Sequence, residues 1–476
     1  MSRPTQLGQP AGRIGATPTR HHRLTLCVLA ALTFVSFMMR SGTSAGEQQP
    51  FPRPNFIVIL TDDQRWDTLQ FMPHVRERLV QHGITFRNSF VTTALCCPSR
   101  ASLLTGQYPH NHGVLNIRPP KGGVEAFDPS STLATWLTDA GYETALVGKY
   151  LNRYDVTNQN IDFATVPPGW SRWFAYSGFY YDYSINDNGT VRHFGTNPED
   201  YSTDVFRDVA VDFVQQADKP FFLLFTPYAP HGSDKWNGGD PTPIPAPADE
   251  ALCPHQELPR PPSLNPNLSD EDAESLRRWR ERAICSLTGV DRAVDAILSA
   301  IPVDEYDNTV VLFSSDNGFA YGEHGRKNGK SCQYEECLRV PLIVSYPGLI
   351  TAPRTEPRMV LNIDYAPTIA ELAGIEPENV RIDGTSFVPL LTHRKVPWRK
   401  DFLFENYYPA ADVMTYGVRS ARYKYVDRVF QPDELYDLRF DRYEVTNVFK
   451  DRLYRQERLA MQARLQELLV ETGAKD

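Results

Sequence analysis

Lysine is scarce in this sequence, with 11 residues against 38 arginines, and the net charge is −9. An acidic surface does not attract nucleic acid through its general field, so this balance argues against a nucleic-acid-binding protein. No stretch after Met39 is apolar for long enough to span a bilayer, and no histidine-rich set has the spacing of a zinc site. What is present is a chain of 476 residues, enough for a large α/β domain with an appendage.

The first 45 residues carry five arginines and no acidic residue. From Leu24 to Met39 all 16 residues are apolar or small, and small residues follow at 43–45. This pattern predicts a signal peptide over residues 1–45, with an uncleaved anchor as the alternative because the basic leader is long. We therefore expect an exported protein: secreted, periplasmic or at the cell surface, lysosomal in an animal source, and membrane-associated only if the leader is retained. Loss of the five arginines takes the net charge from −9 to −14.

Six cysteines remain after the leader, and an exported protein can form disulfides. We favour the pairs Cys253–Cys285 and Cys332–Cys337, although spacing does not fix connectivity. Composition alone favours Cys96 and Cys97 as a further structural pair.

Four apolar runs predict buried strands of a sheet that is covered on both faces: "NFIVILTDDQ", "ETALVGK", "FFLLFTPYAPH" and "NTVVLFSSDNG". Each run ends in polar residues, which are Asp62 and Asp63, Lys149, His231, and Asp316 with Asn317. Open α/β sheets bind ligands beyond the carboxyl ends of their strands. These side chains are therefore expected to share one site.

The remaining chain divides into helices, a loop and a small sheet. Helical patterns cover 131–140, 201–216 and a long stretch from about 269 towards 301. Nine prolines between 237 and 267 predict a long ordered loop or lid. After Pro397, short alternating aromatic runs predict an antiparallel sheet, closed by a helix from about Asp451 to Glu471.

Oxygen ligands dominate the predicted site. The acids and the amide after the first and fourth strands suit Ca²⁺ or Mg²⁺ better than zinc. Each of these segments, taken alone, is also a good turn sequence. Their position at the ends of two buried strands favours the metal.

The segment "CCPSRASLLTG" predicts a helix that begins at Cys96 and ends before Gly106. Cys96 would lie at the helix N-terminus, where free N–H groups and the helix dipole stabilise an anion. Arg100, one turn into the helix, can reach back to the same place.

The same segment resembles the signature of the type I sulfatases, in which the first cysteine is oxidised after translation to formylglycine. "GYETALVGK" is similar to their second signature, and "TDDQ", "APH", "SSDNG" and "ELYDLRFDRYEVTNV" follow in family order between about Pro54 and Asn447. Within the family, "GKYLNRY" and "VPPGWSRWFAYSGFYYDYSIN" resemble the N-acetylglucosamine-6-sulfatase branch most.

The resemblance implies an α/β fold of the alkaline-phosphatase-like type. A large mixed sheet between helices would form the catalytic domain over residues 50–396, followed by a smaller C-terminal antiparallel sheet subdomain over 397–476. It implies hydrolysis of sulfate esters, with the 6-O-sulfate of a glucosamine-type sugar as the expected substrate, and a formylglycine-generating enzyme as the partner during maturation. A hydrated aldehyde carries two hydroxyls on one carbon, so that one can attack sulfur and the other can then expel sulfate.

The resemblance also implies a role for each candidate residue. Lys149 and Lys330 would bind the sulfate oxygens, and His231 would protonate the leaving alcohol. Arg100 would stabilise the deprotonated diol. The cation, Ca²⁺ or else Mg²⁺, would be held by Asp62, Asp63, Asp316, Asn317 and formylglycine at 96.

Some positions leave questions open. Many sulfatases have histidine two places after the signature lysine, whereas this chain has Leu151, so the group that deprotonates the diol is not identified. Asn152 follows, as in the glucosamine-6-sulfatase branch, and is a candidate substrate contact. Lys330 is preferred to Lys327 on its alignment with the family segment "KSCQYEECLRVP". The neighbouring histidines, His110 and His112, are treated as structural.

Two other functions compete with this interpretation. One is a phosphonate or phosphate ester hydrolase of the same superfamily, and the other is an inactive glycan-binding relative. Endo-acting relatives carry a long basic insert that this chain does not have, so we expect exo action on terminal sugars. Four aromatic residues are either walls of the sugar pocket or core: Trp170, Trp173, Tyr180 and Tyr181.

Overall fold

The computed structural model describes residues 53–218, 220–233, 240–253, 261–326, 329–392 and 395–475, and the predicted leader lies outside them. The strands are β1 (Asn55–Thr61), β2 (Ile84–Phe90), β3 (Glu143–Lys149), β4 (Arg172–Tyr176), β5 (Tyr183–Asp187), β6 (Thr190–Phe194), β7 (Phe221–Thr226), β8 (Thr309–Ser315), β9 (Leu342–Ser345), β10 (Arg354–Leu361), β11 (Asp401–Tyr408), β12 (Val413–Ser420), β13 (Tyr423–Asp427) and β14 (Glu434–Asp437). The four predicted strands are confirmed as β1, β3, β7 and β8.

The first ten strands form one mixed sheet in the order β10-β2-β9-β8-β1-β7-β3-β4-β5-β6. The four predicted strands are its parallel centre, with β1 between β7 and β8. Every residue of β1 and β8 is buried, as expected for parallel strands covered on both faces. Strands β5, β6 and β9 pair antiparallel and make the sheet mixed.

Helices cover both faces of this sheet. The α-helices are α1 (Pro73–Val75), α2 (Cys96–Thr105), α3 (Pro109–His112), α4 (Leu133–Asp139), α5 (Ser202–Gln216), α6 (Asp270–Ser299), α7 (Glu335–Leu338), α8 (Tyr365–Leu372), α9 (Val388–Leu391) and α10 (Arg455–Glu471). One core, with Phe56 and Val58 from β1, packs against α2, α4 and α8, and the other, with Ile57 and Ile59, packs against α5 and α6. The alternation along β1 is the two-residue period of a strand. The expected large sheet between helices is confirmed.

The last four strands form a separate antiparallel sheet in the order β11-β12-β13-β14. Helix α10 packs on it, and Leu465 and Leu469 share a core with Phe402 and Val418. The small C-terminal sheet and its closing helix are thus present as predicted.

Other expectations have mixed outcomes. The structure contains both expected disulfides, Cys253–Cys285 and Cys332–Cys337. The proline-rich stretch contains one 3₁₀ helix, Pro247–Leu252, where the sequence predicted no regular element; Pro247 suits the first turn of such a helix. Residues 237–239 and 254–260 of that stretch lie outside the described residues. Within the described ranges, no helix is both long and apolar enough to cross a membrane.

His110, which follows the helix of Cys96, is held by the C-terminal part of the chain. Its Nδ1 is hydrogen-bonded to the buried carboxylate of Glu405 on β11, and its Nε2 donates to the carbonyl of Thr472 at 2.9 Å. Asp383 also faces the ring. Burial alone would lower the pKa of His110, but the hydrogen bond to Glu405 and its charge raise the pKa above the ordinary value. The structural role expected for His110 is consistent with these contacts.

We expect this pair to make stability depend on pH. Burial also raises the pKa of Glu405, against the opposing effect of His110. Both raised pKa values mean that the folded state holds protons more tightly than the unfolded state, so stability falls as Glu405 ionises above about pH 4.5 and falls again as His110 loses its proton above about pH 6.5. In Glu405→Gln, the decline in the free energy of unfolding above that pH should be shallower, as measured by urea titrations between pH 6 and 9. His82→Gln, at an exposed histidine, should keep the wild-type profile; an unchanged profile in Glu405→Gln would contradict the assignment.

Candidate active site

The neighbouring strands β1 and β8 deliver the acidic residues to one edge of the sheet. Thr61 lies opposite Ser315, so that Asp62 and Asp316 leave the two strands side by side. Asp63 has a φ of 68°, the left-handed region that non-glycine residues rarely adopt. Such a conformation is typical of a functional position that the surrounding structure holds in place.

We call Asp62, Asp63, Asp316 and Asn317 the acidic cluster. All four side chains are buried. The Asp63 N–H donates to Asp316 Oδ1 at 3.2 Å, and Asn317 Nδ2 donates to Asp63 Oδ1 at 2.6 Å. Asp62 Oδ1 and Asn317 Oδ1 accept no hydrogen bond within the described part of the chain. Buried oxygens without donors are costly, so these two atoms fit a bound hard cation.

Cys96 begins α2 with Leu95 as its N-cap residue, and Gly106 ends the helix with a φ of 71°. Its side chain is buried beside the acidic cluster, and one ligand atom from each of Asp62, Asp63, Cys96 and His231 lies within 4.8 Å of the others. Burial raises the pKa of the Cys96 thiol, although Lys149 and Lys330 oppose the effect. The encoded thiol is therefore held in its protonated, weakly nucleophilic form.

Three cations converge on the same point. Lys149, the last residue of β3, forms a buried ion pair with Asp62 Oδ2. Lys330 Nζ lies 2.7 Å from Asp63 Oδ1 and 2.8 Å from Cys96 Sγ. Arg100 Nε donates to Asp316 Oδ2 at 2.8 Å, and its Nη1 donates to the Lys149 carbonyl at 2.7 Å.

Electrostatics keep Asp62 and Lys330 charged but oppose the charge of Asp316. Burial alone would raise the pKa of Asp62, but Lys149, His231 and Lys330 hold it well below its ordinary value. Burial alone would likewise lower the pKa of Lys330, which the carboxylate of Asp63 holds well above the ordinary value. Burial and the charge of Asp62 raise the pKa of Asp316 to about 6. A carboxylate crowded by another carboxylate in this way would be relieved by a divalent cation.

His231 follows β7 and points its Nε2 towards Asp63 Oδ2, 3.6 Å away. Its Nδ1 donates to the carbonyl of Gly232 at 2.8 Å, so Nδ1 carries the proton of the neutral ring and Nε2 faces the site. Burial and the charge of Lys330 lower the pKa of His231.

Two tyrosines lie near His231, and only one of them, Tyr180, was singled out from the sequence, as a candidate pocket wall. The ring of Tyr228 stacks on the imidazole with centroids 4.6 Å apart and lies 5.4 Å from Lys149 Nζ. Tyr180 donates its hydroxyl hydrogen to the His231 carbonyl at 2.7 Å. Tyr228 lies only two residues after β7, a strand-end position that could have marked it.

The structure thus brings together all the residues predicted for metal binding and catalysis. The predicted contact Asn152 is not linked to them by a hydrogen bond in the described residues, but its Oδ1 is buried without a partner. Lys327 lies outside the described residues. Trp173 is fully buried in the core and Tyr180 is nearly so, whereas Trp170 and Tyr181 are partly buried and pack against the two cores. The core alternative therefore holds for Trp173 and Tyr180, whereas a pocket wall stays a prediction for Trp170 and Tyr181.

Comparison with known proteins identifies the family to which this chain belongs. The sulfatase family model matches residues 54–375, and the model of the N-sulphoglucosamine sulphohydrolase C-terminal region matches residues 322–471. Human N-acetylglucosamine-6-sulfatase is 32% identical over 83% of this chain and 74% of its own length. The Drosophila melanogaster extracellular sulfatase SULF-1 homolog is 33% identical over 77% of this chain but only 34% of its own length.

A solved structure of a protein in complex with its substrate D-glucosamine-2-N,6-O-disulfate has the same fold. Its TM-score is 0.75 at 24% identity, and the match covers 89% of this chain and 99% of that one. Fold and site together define a hydrolase with an acidic cluster, a buried cysteine and converging cations. The chain belongs to the sulfatase family and is a sulfuric ester hydrolase.

Proposed function

We propose that this protein removes the 6-O-sulfate from terminal glucosamine-type sugars, using formylglycine made from Cys96 and a bound divalent cation, Ca²⁺ or else Mg²⁺. The observation that carries the proposal is the position of Lys330 Nζ, within 2.8 Å of both Cys96 Sγ and Asp63 Oδ1. A cysteine, a metal-type carboxylate and an anion-binding ammonium therefore meet at one point.

Charge balance supports an anionic substrate. The three carboxylates of the acidic cluster are matched by Arg100, Lys149 and Lys330, so that a divalent cation would leave an excess of positive charge. In a buried site this excess favours a sulfate ester and the negative charge that develops when its S–O bond breaks. Lys149 and Lys330 would bind the sulfate oxygens, while Arg100 holds Asp316 and the end of β3 in place.

The acidic cluster would hold the cation together with residue 96, and the bound ion would supply Lewis-acid polarisation of the sulfate. Formylglycine, as its hydrate, would supply one hydroxyl for attack at sulfur and a second for release of sulfate. A formylglycine-generating enzyme would act on the chain during maturation. The predicted leader would direct export of the protein. The extracellular name of one relative supports that location.

His231 would act in its protonated form, in which Nε2 as well as Nδ1 carries a proton, and would deliver the Nε2 proton to the departing alcohol. Sugar alcohols are poor leaving groups, whereas nitrophenol leaves without a proton. His231→Ala should therefore lower kcat/KM by about 10²-fold on a sugar sulfate and much less on nitrophenyl sulfate. Lys149 would bind the sulfate group that both substrates share, so Lys149→Ala should lower kcat/KM for the two substrates to a similar extent. If His231→Ala lost kcat/KM equally on the two substrates, His231 would not be the proton donor to the leaving alcohol.

The substrate preference is supported by the relatives that act on 6-sulfated glucosamine and by the charge of the chain. A net charge of −14 without the leader repels a polyanion, so affinity must come from a local pocket. We expect sulfate release from terminal residues of an oligosaccharide series, with KM changing less than about threefold between 50 and 200 mM salt. Faster release from internal residues of a long chain would contradict exo action.

Two measurements test the function itself. The mass of the peptide spanning Cys96, from protein made with a formylglycine-generating enzyme, should show the loss that accompanies conversion to formylglycine. Matched sulfate and phosphate monoesters of one alcohol should then be hydrolysed with a clear preference for sulfate. Preference for the phosphorus ester would support the phosphonate or phosphate hydrolase, and no turnover of either ester by converted protein would support the glycan-binding alternative.

A further inference from the structure

Lys424, on β13 of the C-terminal sheet, is completely buried although it is a lysine. Its Nζ donates to the carbonyl of Gln333 at 3.1 Å, and it forms ion pairs with Glu444 at 2.7 Å and Glu335 at 3.1 Å. Burying an ammonium is costly unless its partners are well placed, and such groups are often better explained by specificity than by stability. None of the catalytic steps above uses this residue.

Two of these three partners, Gln333 and Glu335, lie within residues 329–338, which we call the Lys330 segment. The backbone N–H of Glu335 donates to Glu444 Oε2 at 2.7 Å, so that Glu444 holds both the segment and Lys424. Arg419 on β12 adds a second cation, with Nε 3.3 Å from Glu335 Oε1. The C-terminal sheet, together with Glu444 from the loop after β14, therefore grips the segment by one carbonyl, one amide and one carboxylate.

The grip lies close to Lys330. Gln333 is three residues after Lys330. The disulfide between Cys332 and Cys337 closes residues 332–337 into a short loop. The Ser331 N–H donates to the carbonyl of Ala94 at 2.8 Å, two residues before Cys96. A displacement of the segment would therefore move the Lys330 ammonium relative to Cys96 and Asp63.

Lys149 provides the contrast. It ends a strand at the centre of the large sheet, and its partners, Asp62 and Tyr228, follow other strands of that sheet. Its position does not depend on the C-terminal sheet.

We propose that Lys424 is a positioning residue, which holds the Lys330 ammonium against Cys96 by fixing the Lys330 segment to the C-terminal sheet. The proposal rests on the sulfate-binding role proposed for Lys330. Misplacement by about 1 Å costs an enzyme up to about 100-fold, so Lys424→Met should lower kcat/KM for a sulfate ester by about 10- to 100-fold.

A double-mutant cycle separates positioning from general destabilisation. If Lys424 acts through Lys330, Lys424→Met should cost less than about twofold in the Lys330→Ala background but keep its full cost in the Lys149→Ala background. Equal, additive losses in both backgrounds would overturn the proposal. Arg422→Met removes another ion pair of the same sheet, with Asp437 at 2.7 Å, and should leave kcat/KM unchanged.

The kcat/KM of Lys424→Met is compared only after circular dichroism has shown that the variant has the wild-type fold. If it does not fold, Glu444→Gln takes its place with the same expected pattern. Hydrogen–deuterium exchange then tests the grip without any substrate. Peptides covering residues 329–338 should exchange faster in the variant, while those covering β3 should not. Unchanged exchange in the Lys330 segment refutes the grip, whereas faster exchange in a protein that hydrolyses no sulfate ester refutes only the proposed function.

Discussion

Cys96→Ala is expected to lower kcat by about 10⁶-fold, the scale of loss when a covalent nucleophile is removed from an enzyme. The reason is geometric as well as chemical. Residue 96 lies at the N-terminus of α2, against Lys330 and within 4.8 Å of ligand atoms of the acidic cluster and His231. Turnover of a sulfate ester by protein matched for metal content measures the loss.

Cys97→Ala is the matched control. Cys97 is as deeply buried as Cys96, but its side chain packs in the hydrophobic core with Leu104 and Leu146, and it forms no disulfide. Its removal leaves a small cavity that should cost about 1 kcal/mol of stability and little activity. Thermal unfolding of both variants should show folded protein. Equal loss of activity from the two replacements would contradict the precursor role of Cys96.

Asp316→Ala should lower kcat by about 10³-fold or more, since the polarisation supplied by a bound metal is worth several kcal/mol. Asp316 also accepts hydrogen bonds from Arg100 and from the Asp63 backbone. Its loss therefore disturbs both the acidic cluster and the position of Arg100. Asp316→Asn, which keeps the shape but not the charge, should lose most of the same activity.

Metal removal should reproduce that loss in the unmodified protein. Prolonged dialysis against a chelator should abolish turnover, and Ca²⁺ should restore it, with metal content followed by elemental analysis. Added Ca²⁺ should restore little activity to Asp316→Ala. Full turnover by protein shown to be free of metal would contradict the site.

The four central strands and the catalytic helix were predictable because their signals are local. A continuous apolar run reports burial on both faces, and the polar residue that ends it, such as Asp62 or Lys149, marks the carboxyl edge. The helix from Cys96 to Gly106 is bounded by its own proline and glycine, whose backbone preferences do not depend on distant residues. The resemblance to the type I sulfatase motifs then supplied the expected role of each candidate site residue.

Contacts between distant segments were decided by the tertiary structure. Strand order places β8 directly beside β1, so that Asp316 meets Asp63 although they are far apart in the chain. Whether Trp173 faced a pocket or the core depended on the neighbours that β4 acquired in the sheet. The burial of Lys424 against the Lys330 segment has no local signal, because a lysine in an alternating strand is ordinarily exposed. Local patterns record which residues are buried, whereas which segments they meet depends on the packing of the whole chain.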